Sequence, residues 1–389
     1  MTTMAIDNKE KEVLNVPHLR FPEFTEEWKE TKLGKIAEIT KGSGISKDRL
    51  SEYGSPCILY GELYTKYKSE IINEVYSRTE LDSSLLVKSK ANDVIIPCSG
   101  ETAIDISTAR CVPFNNILLG GDLNIIRLKN NDGGFFAYQL NGTRKKDIAR
   151  VAQGVSVVHL YGENLKHIRV YHPAIEEQKK ITRLLSLIDK RIATQNKIIE
   201  DLKKLKSAIR KKMFSLLKDE YTESFEINQL LDYEQPTAYI VANDEYSTDT
   251  SLTPVLTANK GFILGYTDEK FGIYQKGECI IFDDFTMDAK YVSFPFKVKS
   301  SAIKILTAKP NVNLRFMFEY LSYWELKSEG HKRHYISEIA SLVIELPSKE
   351  RQSIIASLMT SLNSKLDIEA KTKIRYEEQK RYLLSQMFI

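Results

Sequence analysis

The sequence predicts an α+β protein with an internal repeat, in which each copy is a mixed domain followed by a long helix. Three observations support this prediction. Two segments align without a gap at an offset of 174 residues, both carry helical periodicity, and similar short β-type runs precede them. A repeat of this length indicates a duplicated domain, because solenoid repeats have much shorter periods.

The repeat is clearest in segments 173–214 and 347–388. "HPAIEEQKKITRLLSLIDKRI" aligns with "LPSKERQSIIASLMTSLNSKL", so that Gln178 falls on Gln352. The dipeptide Met-Phe closes both segments in the same register. A gapless register of this length is hard to obtain by chance, and it predicts an internal pseudo-twofold repeat.

Both segments are predicted to be helices. The apolar stripe of the first helix follows a four-three spacing and then shifts through Leu205, Ile209, Met213 and Leu216. A proline opens each segment, at a position where its missing N–H costs nothing. About forty residues at 1.5 Å each give a rod of roughly 60 Å. The stripes predict that the rods pair as a two-helix coiled coil; packing of each helix on an unrelated core is the alternative.

The regions before the two helices share the order of their elements. The first contains "DVIIP" (93–97), "LNIIRL" (123–128) and the aromatic stretch "FFAYQL" (135–140), and the second contains "ECIIFDD" (278–284), "AIKIL" (302–306) and "FMFEYL" (316–321). Gly, Asn and Asp separate the β-type runs, as hairpins and loops require. The shared order predicts two structurally related domains whose sequences have diverged.

The charge is concentrated on the two helical segments. The chain carries +4 overall, whereas segment 173–214 carries +7 and segment 347–388 carries +3, so the remainder carries −6. No run of about 18 apolar residues predicts a membrane span, and the polar N-terminus has no signal-peptide core. Four scattered cysteines are expected to be buried thiols in a reducing cytoplasm.

No catalytic or metal-binding motif stands out. "TKGSGISK" (40–47) has neither the spacing nor the context of a phosphate loop. Asp283 and Asp284 suggest a metal carboxylate pair, but neighbours in a strand point to opposite faces. A nuclease-like set, Asp367, Glu369 and Lys371, falls inside the second predicted helix. His331-Lys332-Arg333-His334 is either a phosphate-contact loop or a solvated loop. The chain is therefore predicted not to be an enzyme.

Three stretches resemble the specificity subunit of Type I restriction–modification systems. "PHLRFPEFTEEWKETKLGKIAEITKG" (17–42) is similar to the start of such subunits, and "GVSVVHLYGENLKHIRVYHPAIEEQKKI" (154–181) to their central region with its Pro…Glu-Gln motif. "IASLVIELPSKERQSII" (339–355) is similar to the distal counterpart. Arg351 replaces the Glu before Gln352, so the second motif is weaker. The resemblance covers essentially the whole chain.

The resemblance implies an architecture and a set of partners. Two target-recognition domains, 17–172 and 219–346, follow an N-terminal tail (1–16) and are separated by antiparallel spacer helices, 173–218 and 347–389. Each domain would read one half of a bipartite site in double-stranded DNA, while the helices set the spacing and bind partners. Two methyltransferase subunits using S-adenosylmethionine and two restriction/translocase subunits using ATP and Mg would complete the complex in the bacterial cytoplasm. The chain itself would need no cofactor.

Base reading is expected from polar and planar side chains in the domain loops. In the first domain the candidates are Lys41, Ser43, Lys47, Tyr64, Lys66, Ser99, Thr102, Arg110 and Gln153. In the second they are Thr257, Asn259, Lys260, Thr286, Lys290, Tyr291, Lys332 and Arg333. Two alternatives remain at this stage: a self-sufficient DNA methyltransferase or nuclease, and a coiled-coil adaptor that reads no DNA. The absence of a methyl-donor loop and of an Asn/Asp-Pro-Pro-aromatic motif counts against the first.

Overall fold

The computed structural model describes residues 15–217, 222–257, 261–324 and 335–389. The chain divides into two compact units: unit 1 comprises Met1–Asn196 and Thr372–Ile389, and unit 2 comprises Lys197–Lys371. Each long helix therefore contributes residues to both units.

Unit 1 contains eleven strands and six short helices in its described residues. The strands are β1 (Lys29–Lys32), β2 (Ala37–Lys41), β3 (Ser55–Ile58), β4 (Ser77–Thr79), β5 (Asp93–Pro97), β6 (Ser99–Gly100), β7 (Arg110–Val112), β8 (Leu118–Leu119), β9 (Leu123–Leu128), β10 (Val158–His159) and β11 (Arg169–His172). The helices are α1 (Leu33–Ile36), α2 (Glu62–Thr65), α3 (Ala103–Ile106), α4 (Gly133–Asn141), α5 (Lys145–Arg150) and α6 (Gly162–Lys166), with a 3-10 turn at Lys47–Arg49. The first long helix, α7 (Ile175–Leu216), follows.

Unit 2 repeats this plan with fewer strands and fewer short helices in its described residues. Its strands are β12 (Glu223–Glu226), β13 (Leu231–Glu234), β14 (Thr253–Leu256), β15 (Ile263–Thr267), β16 (Cys279–Asp283), β17 (Ala289–Val292), β18 (Lys297–Val298), β19 (Ile303–Ala308) and β20 (Val343–Leu346). Its helices are α8 (Ile227–Leu230) and α9 (Leu314–Tyr323), with a 3-10 turn at Pro236–Tyr239 and a π-helical turn at Tyr335–Ile339. The second long helix is α10 (Lys349–Met387). The two long helices begin two residues after Pro173 and Pro347.

The sheets of the two units have the same topology. In unit 1 a four-stranded antiparallel sheet has the order β2-β9-β5-β7, and a three-stranded sheet has the order β4-β3-β8. In unit 2 the corresponding orders are β13-β19-β16-β17 and β15-β14-β18. The β3–β8 and β14–β18 pairs are both parallel. In each unit, the strand that leads into the long helix pairs with the strand that opens the domain, β11 with β1 and β20 with β12. The predicted duplication of an α+β domain is confirmed.

The central strands of both large sheets are buried on both faces. Ile96 of β5 belongs to the cluster that contains α4, whereas Ile95 faces a second cluster against the small sheet. In unit 2, Ile280 of β16 faces the cluster of α9 and Ile281 faces the small sheet. Burial on both sides explains why these strands appear in the sequence as continuous apolar runs. All four predicted β-type runs are strands, and both aromatic stretches are helices.

The Met-Phe dipeptide that ends each repeated segment inserts into a domain core. Phe388 lies 6.2 Å from Trp28 and 5.1 Å from Phe135 in unit 1, measured between ring centroids. Phe214 lies 5.6 Å from Phe316 in unit 2. Each domain therefore packs the end of one long helix and the start of the other into a single core.

Within each unit the long helices run antiparallel. In unit 1, Lys380 of α10 pairs with Asp189 of α7, and Arg191 lies over the ring of Tyr376. As residue numbers rise along α7, those of the contacting residues fall along α10. In unit 2, Lys206 of α7 donates a hydrogen bond to Asn363 of α10.

One detail of the predicted stripe is wrong. Leu205 was expected at an inward position, but it is 49% exposed, and Leu216 is also exposed. The Lys206 side chain takes the inward position, with 16% exposure. Hydrogen-bonding partners on α9 and α10 stabilise this cation where periodicity alone favours leucine.

The glutamine of the repeated Pro…Gln motif joins each long helix to its domain. Gln178 Oε1 accepts from the main-chain N–H of Asp132, and its Nε2 donates to the Pro173 carbonyl, both at 2.9 Å. Gln352 makes the same two bonds, to the Asn313 N–H and the Pro347 carbonyl, also at 2.9 Å. Both glutamines are buried.

Asp132 and Asn313 are equivalent residues, since each caps the N-terminus of the helix that follows it. Their side chains accept from the N–H groups of Phe135 and Phe316, the bond typical of an N-cap. The glutamine thus fixes the start of the long helix against the start of α4 or α9. Because α4 and α9 cover the large sheets, the glutamine also fixes the position of each domain on its long helix.

Unit 1 has a further clamp at this point. Glu177 is buried and accepts two hydrogen bonds from the guanidinium of Arg20, at 2.8 and 2.7 Å. It also accepts one from Trp28 Nε1 at 3.4 Å. Unit 2 has Arg351 at the equivalent position, which as a cation cannot reproduce a carboxylate clamp.

Candidate nucleic-acid interface

A cleft of about 750 Å³ opens in the first domain between three loops. Its lining residues come from the segments 44–50, 59–66 and 120–122. Three of the predicted base-reading residues, Lys47, Tyr64 and Lys66, line this one cleft, although Lys47 belongs to a different segment of the chain from the other two. The structure thus brings these three candidates together.

Close main-chain packing holds two of these loops together. Ser43 forms a parallel bridge with Gly120, and its Oγ accepts from the Val87 N–H at 2.8 Å. A Cβ on Gly42 would lie 2.0 Å from the Gly120 carbonyl oxygen, so only glycine fits at this crossing. Ser43 thus positions the cleft wall rather than presenting a free hydroxyl.

Glu62 organises the charge at the cleft floor. This buried carboxylate accepts from the Leu59 N–H at 2.9 Å and from Ser77 Oγ, and it pairs with Lys66 Nζ at 2.6 Å. The Lys66 charge is therefore balanced within the protein. Burial raises the pKa of Tyr64, so its phenol stays protonated as a hydrogen-bond donor at neutral pH. Lys47 is exposed at the rim and supplies the positive charge there.

A second group of candidates surrounds β6 and β10. Ser99 pairs with His159 in the β6–β10 ladder, and the main chain of Gln153 exchanges hydrogen bonds of 2.9 and 2.6 Å with that of His159. Gln153 is exposed. Lys41 is exposed at the end of β2, and its charge lowers the pKa of Cys98 against the larger opposing effect of burial.

Two candidates in unit 1 have structural partners. Arg110 is 8% exposed, and its guanidinium donates to the carbonyls of Ala109 and Tyr67 at 3.2 and 2.9 Å. Burial lowers its pKa. The structure thus places Arg110 inside the domain, because its long side chain turns back into the core. Thr102 caps α3 through the N–H of Asp105 at 3.1 Å, although it remains exposed.

Among the second-domain candidates that the structure describes, Thr286 and Lys290 are exposed. Thr257 directly follows β14 and is 7% exposed. Thr286 is exposed in the turn after β16, where its N–H donates to Asp283 at 3.2 Å. Lys290 is exposed on β17. Asn259, Lys260, Lys332 and Arg333 lie outside the described residues.

Tyr291 forms a planar stack that the sequence did not indicate. The guanidinium of Arg315 lies 3.7 Å from the centre of the Tyr291 ring. Both side chains are half-buried, and burial raises the pKa of Tyr291 to about 12. Arg315 comes from the first turn of α9, so only the pairing of β17 with that helix brings it to the candidate tyrosine.

The acidic pair at the end of β16, Asp283 and Asp284, is structural. Asp283 accepts from the N–H groups of Phe285 and Thr286 in the turn. Asp284 accepts from the Tyr335 N–H at 2.8 Å and faces Lys304 at 3.5 Å. Within the described ranges, no cluster of three or more His, Cys, Asp or Glu side chains is placed to hold a metal ion.

All four cysteines are buried free thiols. Burial raises the pKa of Cys57 and Cys98 to about 11 and that of Cys111 and Cys279 to about 12. In the portion of the chain that the structure covers, no helix combines the length and apolar character needed to cross a membrane.

Two stretches, residues 25–204 and 220–378, match the model of the Type I restriction modification DNA specificity domain. The chain belongs to this family. The two matches correspond to the two copies of the repeated unit, so the resemblance noted in the sequence is confirmed for both halves.

Curated specificity subunits show the same relationship. The specificity subunit of the Escherichia coli type I restriction enzyme EcoR124I/EcoR124II is 39% identical over 178 residues, which cover 41% of this chain and 43% of that subunit. The match thus spans less than half the length of that relative. A putative type I restriction enzyme MjaX specificity subunit of Methanocaldococcus jannaschii is 24% identical over 302 residues, 69% of this chain and 71% of that one.

A solved structure shares the fold across nearly the whole chain. The S subunit of a type I restriction-modification system from M. genitalium aligns with a TM-score of 0.71 at 16% identity, covering 96% of this chain and 99% of that one. At this identity the likeness establishes the fold. This shared fold agrees with the two matches to the specificity domain in this chain.

Proposed function

We propose that this chain is the DNA sequence-specificity subunit of a Type I restriction–modification complex. Each of its two domains reads one half of a bipartite target in double-stranded DNA. The paired helices set the number of base pairs between the half-sites and bind the methyltransferase subunits. Specificity subunits of type I systems are non-catalytic, and the chain performs no chemistry of its own.

The observation that carries this proposal is the duplication of one DNA specificity domain together with its attachment to a long helix. Both units have the same strand orders, and Gln178 and Gln352 make the same two main-chain bonds. Because each domain is attached to its long helix by the same bonds, the two domains can use equivalent surfaces. Two equivalent surfaces fit a DNA target that consists of two half-sites.

The cleft of the first domain is our candidate for reading one half-site. Lys47 supplies a cation for a phosphate, and the protonated Tyr64 donates a hydrogen bond to a base or phosphate acceptor. In the second domain our candidates are the exposed Lys290 and the Tyr291–Arg315 pair on β17 and α9. Lys41, Ser99 and Gln153 remain candidates at the edge of the first domain.

The remaining components of the complex supply the chemistry. Two methyltransferase subunits bring S-adenosylmethionine, and two restriction/translocase subunits bring ATP and Mg to the complete enzyme in the bacterial cytoplasm. The basic excess of segment 173–214, +7, is available to the phosphates of the DNA between the half-sites.

Mapping methylated adenines across a genome tests the proposal. Cells that express the methyltransferase subunit are compared with and without this chain. We expect a methylated bipartite motif that appears only with the chain. Methylation by the purified chain alone would instead identify an independent methyltransferase. If the methyltransferase complex assembles only with this chain but its methylation shows no sequence preference, the chain is an adaptor.

A further inference from the structure

A buried polar cluster joins both long helices to the domain in unit 1. Lys380 of α10 pairs with Asp189 of α7 at 2.7 Å and with Glu70 of the domain at 2.6 Å. The Tyr138 hydroxyl, from α4, donates to Asp189 at 2.7 Å. Tyr138 is fully buried, and the other three side chains are at most 15% exposed.

Unit 2 contains a cluster of the same kind. Lys206 of α7 donates to Asn363 of α10 at 2.6 Å and lies 3.7 Å from Glu319 of α9. Asn363 Nδ2 donates to Glu319 at 3.2 Å. Arg210 adds an ion pair to Glu319 at 2.8 Å. Glu319 is fully buried.

The two clusters occupy equivalent positions of the repeat. Lys206 and Lys380 are separated by the repeat offset of 174 residues, and so are Asp189 and Asn363. Tyr138 and Glu319 each lie six residues after the cap of their helix, Asp132 or Asn313. The lysine is retained in both copies. Besides Glu70, unit 1 has its acidic group on the long helix, at Asp189, whereas unit 2 has its acidic group on the domain helix, at Glu319.

A polar cluster of this type selects one alignment of the helices. Apolar side chains in a helix seam can exchange neighbours when one helix slides along the other, whereas a buried polar group has defined partners. A slid helix would leave a lysine and a carboxylate buried without partners, which is far more costly than an apolar mismatch. Burial raises the pKa of Asp189 and lowers that of Lys206, so both clusters carry the cost of desolvation.

We propose that Lys206 and Lys380 are register-determining residues, each of which fixes the alignment of α7 with α10 in its unit, and that together they determine which spacing between half-sites the complex accepts. The inference rests on the proposed function. It assigns spacing selectivity to two side chains of the helices, in addition to the length of the helices.

The test uses the full chain reconstituted with the methyltransferase subunit and S-adenosylmethionine. The substrates are DNA duplexes that carry the mapped half-sites at their native spacing or with one base pair added or removed. Spacing selectivity is the methylation rate on the native duplex divided by that on an altered one. Lys206→Met and Lys380→Met should lower this ratio at least about tenfold, the effect expected from losing one buried, hydrogen-bonded charge pair.

Matched controls are available on α10. Lys365 and Lys373 pair with Glu369 and Glu377 of the same helix, at 2.5 and 3.5 Å. Lys365→Met and Lys373→Met each remove a cation and an ion pair within α10, one in each unit, and they leave the two polar clusters intact. They should keep the wild-type spacing selectivity.

Exchange variants keep the proposal testable if the methionine variants do not assemble. Tyr138→Glu with Asp189→Asn gives unit 1 the carboxylate and amide positions of unit 2, and it preserves the net charge of the unit 1 cluster. This double variant should recover the selectivity that Asp189→Asn alone reduces. The proposal is overturned if the lysine variants match their controls in selectivity, or if the double variant recovers nothing. A wild-type complex that methylates no bipartite site would refute the proposed function instead.

Discussion

Replacing Gln178 or Gln352 with methionine removes the same two main-chain hydrogen bonds from the two units. Methionine has nearly the same length and a similar helix propensity, so the change isolates the loss of the amide. In unit 1 it leaves the Asp132 N–H and the Pro173 carbonyl without this partner. In unit 2 it does so for the Asn313 N–H and the Pro347 carbonyl.

The expected magnitude follows from burial. A buried main-chain group that loses its partner costs about 1–3 kcal/mol, and methionine burial offsets part of this cost. We expect a loss of about 3 kcal/mol in the unit concerned. Gln178 also donates to Asn131 Oδ1 at 2.9 Å, so the loss in unit 1 should be at least as large as that in unit 2.

Hydrogen exchange measured by mass spectrometry locates the effect. A loss of about 3 kcal/mol accelerates amide hydrogen exchange roughly a hundredfold at sites that exchange only when the unit unfolds locally. Gln178→Met should accelerate exchange in α4, and Gln352→Met should accelerate it in α9. The control is Gln379→Met, because Gln379 is exposed on α10. If the two variants exchange like this control, or if both affect the same domain, the anchoring role of the glutamines is refuted.

Three further outcomes can be measured. Lys47→Ala should weaken DNA binding by the reconstituted complex and reduce the slope of log affinity against log salt by about one; an unchanged slope in fluorescence anisotropy titrations would show that Lys47 contacts no phosphate. Arg110→Met should lower the melting temperature but leave the methylated motif unchanged, because Arg110 is buried; a relaxed motif would make it a base reader. At pH 8 the four thiols, with pKa values of about 11 to 12, should resist alkylation until the chain is unfolded, since the thiolate is the reactive form; rapid labelling of the folded chain would contradict their burial.

Much of the architecture is predictable because hydrophobic periodicity reports burial directly. The strand runs at 93–97 and 278–284, the aromatic helices and both long helices follow from this signal. The repeat register adds the equivalence of Gln178 and Gln352. What the offset does not reveal is the bond from each glutamine to its domain, because Asp132 and Asn313 lie in domain segments with little similarity in sequence.

The candidate site is predictable only in part, since side-chain direction depends on tertiary contacts. Polar composition singled out Lys47 and Tyr64, which line the cleft, but it also singled out Arg110, which folds back onto main-chain carbonyls. The helical stripe favoured Leu205 over Lys206 because a partner such as Glu319 cannot be recognised from local spacing. Arg315 was missed because its stack with Tyr291 requires the packing of α9 on β17.

A chain that carries its first domain twice tests most directly whether each domain reads its own half-site. Residues 223–346 are replaced by residues 29–172. The β1–β11 pair then takes the place of the β12–β20 pair, so the strand before the long helix keeps a partner. Methylated adenines are then mapped in cells that contain the methyltransferase subunit. We expect the asymmetric motif to become an inverted repeat of the half-site that the first domain reads. Retention of the original asymmetric motif would contradict independent reading by the two domains.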